Sequence, residues 1–149
     1  MNREYPLRPI AGVAAIIFQG HAVLLTKREN PPGKGNWALP GGAVELGESV
    51  KGAVVRELQE ECGLRVRPEK VLTVFDSITR DEEGRVRFHY VLVEFLCVVI
   101  GGVLTTGTDS EESRWVSLTE LEDLPMNQGT RSFIRKVASE QSKRPIIMQ

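Results

Sequence analysis

The segment SVKGAVVRELQEECG, residues 49–63, constrains the architecture more than any other stretch of the chain. Ser49 is a favourable helix N-cap and Gly63 a favourable C′ residue, so residues 50–62 are predicted to form one helix. At 100° per residue, Val50, Val54, Leu58 and Cys62 share a stripe with Val55 at its edge, a face that has to be covered by a sheet. Glu57, Glu60 and Glu61 fill an arc roughly 100° wide, centred about 110° from that stripe. They stand where the helix dipole is negative and Lys or Arg would be stabilising, and Glu57 and Glu61 form an unfavourable like-charge pair. The only cation on the segment near them is Arg56.

Carboxylates crowded beside a packed face repel one another unless positive charge sits among them. Oxygen ligands at i, i+3 and i+4 suit Mg²⁺ or Mn²⁺, which take a few carboxylates and keep water or phosphate oxygens as the rest. A solvated acidic helix is the alternative. Just upstream, Pro40-Gly41-Gly42 reads as a turn whose bare backbone can approach a ligand closely, and Glu45 and Glu48 add two more acids.

Around this helix the chain is punctuated by Gly, Pro and Asp/Asn. Residues 10–18 and 22–26 are β-type runs joined by Gln19-Gly20-His21, which suggests a hairpin. The loop KRENPPGKGN and a short strand WAL follow. Beyond the helix, strands are expected around 70–78, 85–99 and 114–118, then a short helix near 119–123 and a longer one near 128–140. The apolar stretch 91–104 is interrupted by Glu94 and two glycines and is too short to span a bilayer, so it reads as a buried strand. The fold class is α/β, a sheet with helices on its faces, in one domain covering 1–149.

Nineteen basic and twenty acidic side chains leave no global field for nucleic acid or an anionic membrane, so a polyanion has to be held locally. Cys62 and Cys97 lack metal-ligand or CxxC spacing and read as small buried hydrophobes. The N-terminal residues MNREYPLRPI are not a signal peptide, and with the free cysteines they favour a cytoplasmic protein. The histidines, His21 in a turn and His89 in a strand, offer little for histidine-based catalysis.

The segment Gly42 to Leu64 resembles the Nudix box in full: Gly42, Glu48, Arg56, Glu57, Leu58, Glu60, Glu61, Gly63 and Leu64 fill every specified position. WALPGG before it and ESRWVSLTEL after it fit the same family. The resemblance implies an α/β/α sandwich with a mixed central sheet, and Mg²⁺-dependent hydrolysis of a nucleoside diphosphate linked to another moiety. It implies that Glu57, Glu60, Glu61 and the Gly41 carbonyl hold the metal, that Arg56 orients the glutamates and that Glu48 supports them. A general base or further ligand is expected from Glu112 or Asp109, three and six residues before Trp115, with Glu111 a weaker choice beside a plain solvated loop. Bound cations would shield the diphosphate and acidify the attacking water.

Subclass markers are weak. The Pro that ADP-ribose-type members often carry beyond the box is Arg80 here, and the Tyr of dinucleoside-polyphosphate members is missing. The run of strands over 71–99 resembles ADP-ribose-type members, which favours ADP-ribose or a related nucleotide sugar. Arg8, Lys27, Arg28 and Lys34 are candidate phosphate contacts, and Trp37 or Phe75 a candidate base-stacking ring. The alternatives are a housecleaning nucleoside triphosphate hydrolase and a non-catalytic nucleotide-sugar sensor. Dimers are common in the resembling family, so a homodimer is admitted.

Overall fold

The computed structural model describes residues 3–105 and 110–142. The first strand, β1 (Ile10–Ile16), is followed by β2 (Phe18–Gln19), β3 (Ala22–Arg28), β4 (Trp37–Ala38) and β5 (Gly41–Ala43). Next come α1 (Val50–Cys62), β6 (Leu64–Arg80), β7 (Val86–Gly102), β8 (Ser110–Ser117), a 3-10 helix (Leu118–Asp123) and α2 (Gln128–Ser142). One sheet runs β5-β1-β7-β6, with β1 parallel to β7 and antiparallel to β5. The other is built on β3, which pairs with β2, β4 and β8.

Alternate residues of the central strands enter two cores. Val13, Ala15, Leu24, Phe95 and Cys97 pack under Ala53, Val54, Leu58 and Cys62 of α1. Ile16, Val23, Leu25 and Leu96 pack under Ile134 and Val137 of α2. This is the expected mixed α/β/α sandwich, and it explains why the β1 and β3 runs are continuously apolar: both their faces are covered. No helix among the described residues is long and apolar enough to cross a membrane.

That double burial also corrects the predicted hairpin of 10–18 with 22–26. The chain changes sheet after Ile16, and only the short β2 pairs with β3, through Phe18↔Val23 and Gln19↔Ala22. β1 instead takes a parallel partner far along the chain, Ile10↔Tyr90 through Ile16↔Leu96. The strand expected around 70–78 begins directly after α1 at Leu64, and the edge position of β6 accommodates Pro68. The reading of 91–104 as buried holds only for Phe95 to Cys97, while Val99, Ile100 and Val103 are exposed. The Gly41-Gly42 segment is not a turn but the short strand β5, paired with β1.

Helix α1 has the predicted bounds. Ser49 Oγ accepts the Gly52 amide at 3.0 Å, and Gly63, at φ 71°, donates its amide back to the Gln59 carbonyl. The buried stripe is Ala53, Val54, Leu58 and Cys62, with Val50 and Val55 left at the rim.

Candidate active site

Arg56 gathers the acids at the end of the sheet. Its guanidinium forks onto Glu48, Nε to Oε2 at 2.7 Å and Nη2 to Oε1 at 2.8 Å. Nη1 donates to Glu57 Oε1 at 2.9 Å and to Glu60 Oε2 at 3.2 Å, and Nη2 also donates to the Ala43 carbonyl at 3.0 Å. Glu45 stands at 3.8 Å, and its amide donates to Glu48 Oε1. The planar five-donor fork is what allows one cation to serve several carboxylates.

Glu61 has different anchors: the Gly41 amide donates to its Oε2 at 3.0 Å, and the Thr26 hydroxyl on β3 is a further hydrogen-bond partner. The Gly41 amide thus ties β5 directly to α1. β5 comes so close to its neighbours that a Cβ on Gly41 would collide with the Val13 carbonyl, and one on Gly42 would lie 2.5 Å from the Glu57 carboxyl. The missing side chains let β5 lie flush against β1 at Gly41 and against the Glu57 carboxyl of α1 at Gly42.

Above the acids opens a cleft of about 1350 Å³, lined by Glu57, Glu60 and Glu61 at one end and by β6, β7 and α2 at the other. Its volume exceeds the roughly 300–1,000 Å³ typical of small-ligand pockets. Lys27 and Arg28 line it, whereas Arg8 and Lys34 are not among its lining residues. Phe75 is half exposed in the cleft; Trp37 is buried with the Arg114 guanidinium 4.7 Å from its ring centre. Glu112 is exposed, pairs across the strands with Lys27, and does not line the cleft; Asp109 lies outside the described residues. His21 and His89 do not line it either.

Sequence reading missed three residues. Thr26 and Arg3, which lines the cleft and acts electrostatically on Glu57, carry no motif. Glu94, also in the cleft, was visible as the lone charge in an apolar run, but its direction was not.

The comparisons with known proteins agree with this geometry. The NUDIX domain family matches residues 8–137. The chain belongs to the Nudix family. It is 43% identical over 118 residues to a Methanocaldococcus jannaschii protein named ADP-ribose pyrophosphatase, covering 79% of this chain and 68% of that one. Among solved structures, a MutT Nudix hydrolase from Burkholderia pseudomallei is 31% identical with a TM-score of 0.70, covering 87% of this chain and 98% of that one. An ADP-ribose pyrophosphatase from Streptococcus suis is 27% identical with a TM-score of 0.64, covering 95% and 97%. The Nudix assignment makes the chain a pyrophosphohydrolase, and Nudix hydrolases generally depend on a divalent cation.

The electrostatics of the Nudix helix are divided. Arg56 holds Glu48 down at about 2, while burial pushes Glu61 up to about 7 and raises Glu57 against the pull of Arg56. Among the described residues no three His, Cys, Asp or Glu side chains are grouped so as to hold a metal ion as they stand, because Glu57 and Glu60 lean on Arg56 and Glu61 on Gly41. Between about pH 4.5 and about pH 7 the unfolded chain releases a proton that folded Glu61 still holds, so stability falls as pH rises. Glu48 acts oppositely, but only below about pH 4.5.

EDTA-treated protein is therefore expected to melt at a higher temperature near pH 5 than near pH 7.5. Glu61→Gln should raise the melting temperature near pH 7.5 by a few degrees and narrow that difference. A lower melting temperature for the variant at both pH values would show that the Glu61 charge is not a burden.

Proposed function

We propose that this chain hydrolyses the diphosphate bond of ADP-ribose or a related nucleotide sugar, with Mg²⁺ as cation and Mn²⁺ as a substitute. The observation that carries the substrate choice is the 43% identity to the relative named ADP-ribose pyrophosphatase. The size of the cleft and its acidic end support the same reading.

The donor set fits such a cation. Glu57, Glu60 and Glu61 supply hard anionic oxygens, Glu60 reaches solvent with a side chain 59% exposed while paired to Arg56, and Glu61 is a carboxyl whose burial calls for positive charge. In this reading these three residues hold the metal with the Gly41 carbonyl, and the ion when bound lowers the pKa of water and shields the diphosphate oxygens. Arg56 keeps Glu57 and Glu60 aimed, and Glu48 fixes Arg56 through its two-pronged pair. Lys27 and Arg28 meet phosphate oxygens at the cleft wall. The products are a nucleoside monophosphate and a sugar phosphate, and the chain works as one Nudix unit.

The test is a Mg²⁺-dependent hydrolysis panel of ADP-ribose, other nucleotide sugars, dinucleotides and nucleoside triphosphates. Nucleotide sugars are expected to give the highest kcat/KM. A triphosphate preference would replace the substrate, and tight binding without turnover of any compound would mark a sensor.

A further inference from the structure

The only charge in the apolar run from Val91 to Leu104, most of it in β7, is Glu94. Phe95 and Cys97 turn towards α1, so Glu94, with Leu96, takes the α2 face of the sheet, where it lines the cleft. The register places Glu94 beside Ala14, and Ala14 beside Gly41, in one row across the strands. Two strand spacings, about 10 Å, separate its Cα from that of Gly41, whose amide holds Glu61. The residue across the other strand is Thr73, but its hydroxyl turns to the Val74 carbonyl.

Among the described residues Glu94 has no hydrogen bond and no ion pair. Burial alone pushes its carboxyl up to about 7. Its companions on the cleft wall are Leu72, Leu92, Tyr90 and Phe133, an apolar and aromatic surface. A carboxyl kept in such surroundings without a partner costs stability, and a polar group of this kind fixes the orientation of a ligand. The cleft thus has an acidic end at α1 and, about a nucleoside's length away, an aromatic stretch in which Glu94 is an acceptor without a partner; Asp76 of β6 and Glu140 and Lys136 of α2 line the same cleft. An anionic phosphate would be repelled at Glu94, whereas an N–H or O–H donor would supply the bond it lacks.

We propose that Glu94 is a specificity-determining residue that accepts a hydrogen bond from the nucleoside half of the substrate, either a nucleobase amino group or a ribose hydroxyl. This rests on the pyrophosphohydrolase reading above. A site built around such a bond discriminates strongly against analogues lacking the donor, because its own polar group is then left unpaired.

The experiment compares wild type, Glu94→Gln and Glu94→Leu on the best nucleotide sugar of the panel, each variant checked by its melting curve. Glu94→Leu is expected to raise KM at least tenfold with kcat within threefold, and Glu94→Gln, which keeps a carbonyl acceptor, to fall between. If that sugar is ADP-ribose, two analogues assign the donor: inosine diphosphate ribose lacks the amino group, and 2′-deoxy-ADP-ribose lacks one hydroxyl. Wild type should lose at least tenfold in kcat/KM on one of them, and Glu94→Leu should close that gap.

Unchanged KM in both variants, or a kcat loss of orders of magnitude at constant KM, would overturn the proposal; the latter would place Glu94 at the reacting centre. Wild type inactive on every compound would instead defeat the hydrolase reading. Glu94 would then be judged by calorimetric titration of ADP-ribose, where equal affinity of wild type and Glu94→Leu overturns it and a tenfold weakening supports it.

Discussion

Glu61→Gln is expected to lower Mg²⁺-dependent turnover by several orders of magnitude while the protein remains folded. Gln keeps an oxygen that can accept the Gly41 amide, so the side chain has reason to stay where Glu61 lies. What disappears is the negative charge needed to hold a divalent cation and, through it, the acidity of the attacking water. Glu60→Gln should have a similar effect on turnover for the same reason. Its position is mostly exposed, so its melting temperature should barely move. Glu45→Gln is the internal control: its carboxylate is exposed and 3.8 Å from Arg56, and the variant should stay near wild-type turnover. Near wild-type kcat for Glu61→Gln or Glu60→Gln would remove the acids of the helix from the chemistry.

Arg56→Ala should produce the second large effect, on stability and turnover together. One guanidinium touches Glu48, Glu57 and Glu60 and the Ala43 carbonyl, and its side chain is only 22% exposed. Removing one partner of a sheltered ion pair leaves uncompensated charge, so the loss is expected to be about 2–4 kcal/mol in the metal-free protein. Millimolar Mg²⁺ should return part of that stability, because a second source of positive charge then reaches the same carboxylates. Arg56→Lys should recover part of the stability but little of the turnover, since a point charge cannot reproduce the fork. Equal melting temperatures for wild type and Arg56→Ala in EDTA would contradict the role assigned to Arg56.

The helix was legible because its signals are local. Ser49, Gly63, the apolar stripe and the misplaced acids all lie within fifteen residues, and the structure ends α1 where those signals put it. Strand pairing was legible only in part. A run buried on both faces, such as Ile10–Ile16, has no alternation to show its partner, and its partner in β7 lies some 80 residues away. Gly41 and Gly42 were read as a turn from composition, whereas the need for close approach to Val13 and Glu57 makes them a strand without side chains. Glu94 could be noticed but not interpreted, because whether a charge in an apolar strand faces a core or a cavity depends on the register of three strands. Of the two acids favoured as general base, Glu112 is found outside the cleft lining and Asp109 lies outside the described residues.

The two cores on opposite faces of β1 and β7 allow this scaffold to diversify piecemeal. Side chains that point towards α1 set the distance between Arg56, its carboxylates and the glycines, and any drift there is felt at the bond to be cut. Leu72, Tyr90, Leu92 and Phe133 lie along the far wall of the cleft. A library confined to those four positions could explore new nucleotide partners while inheriting the cutting apparatus unaltered.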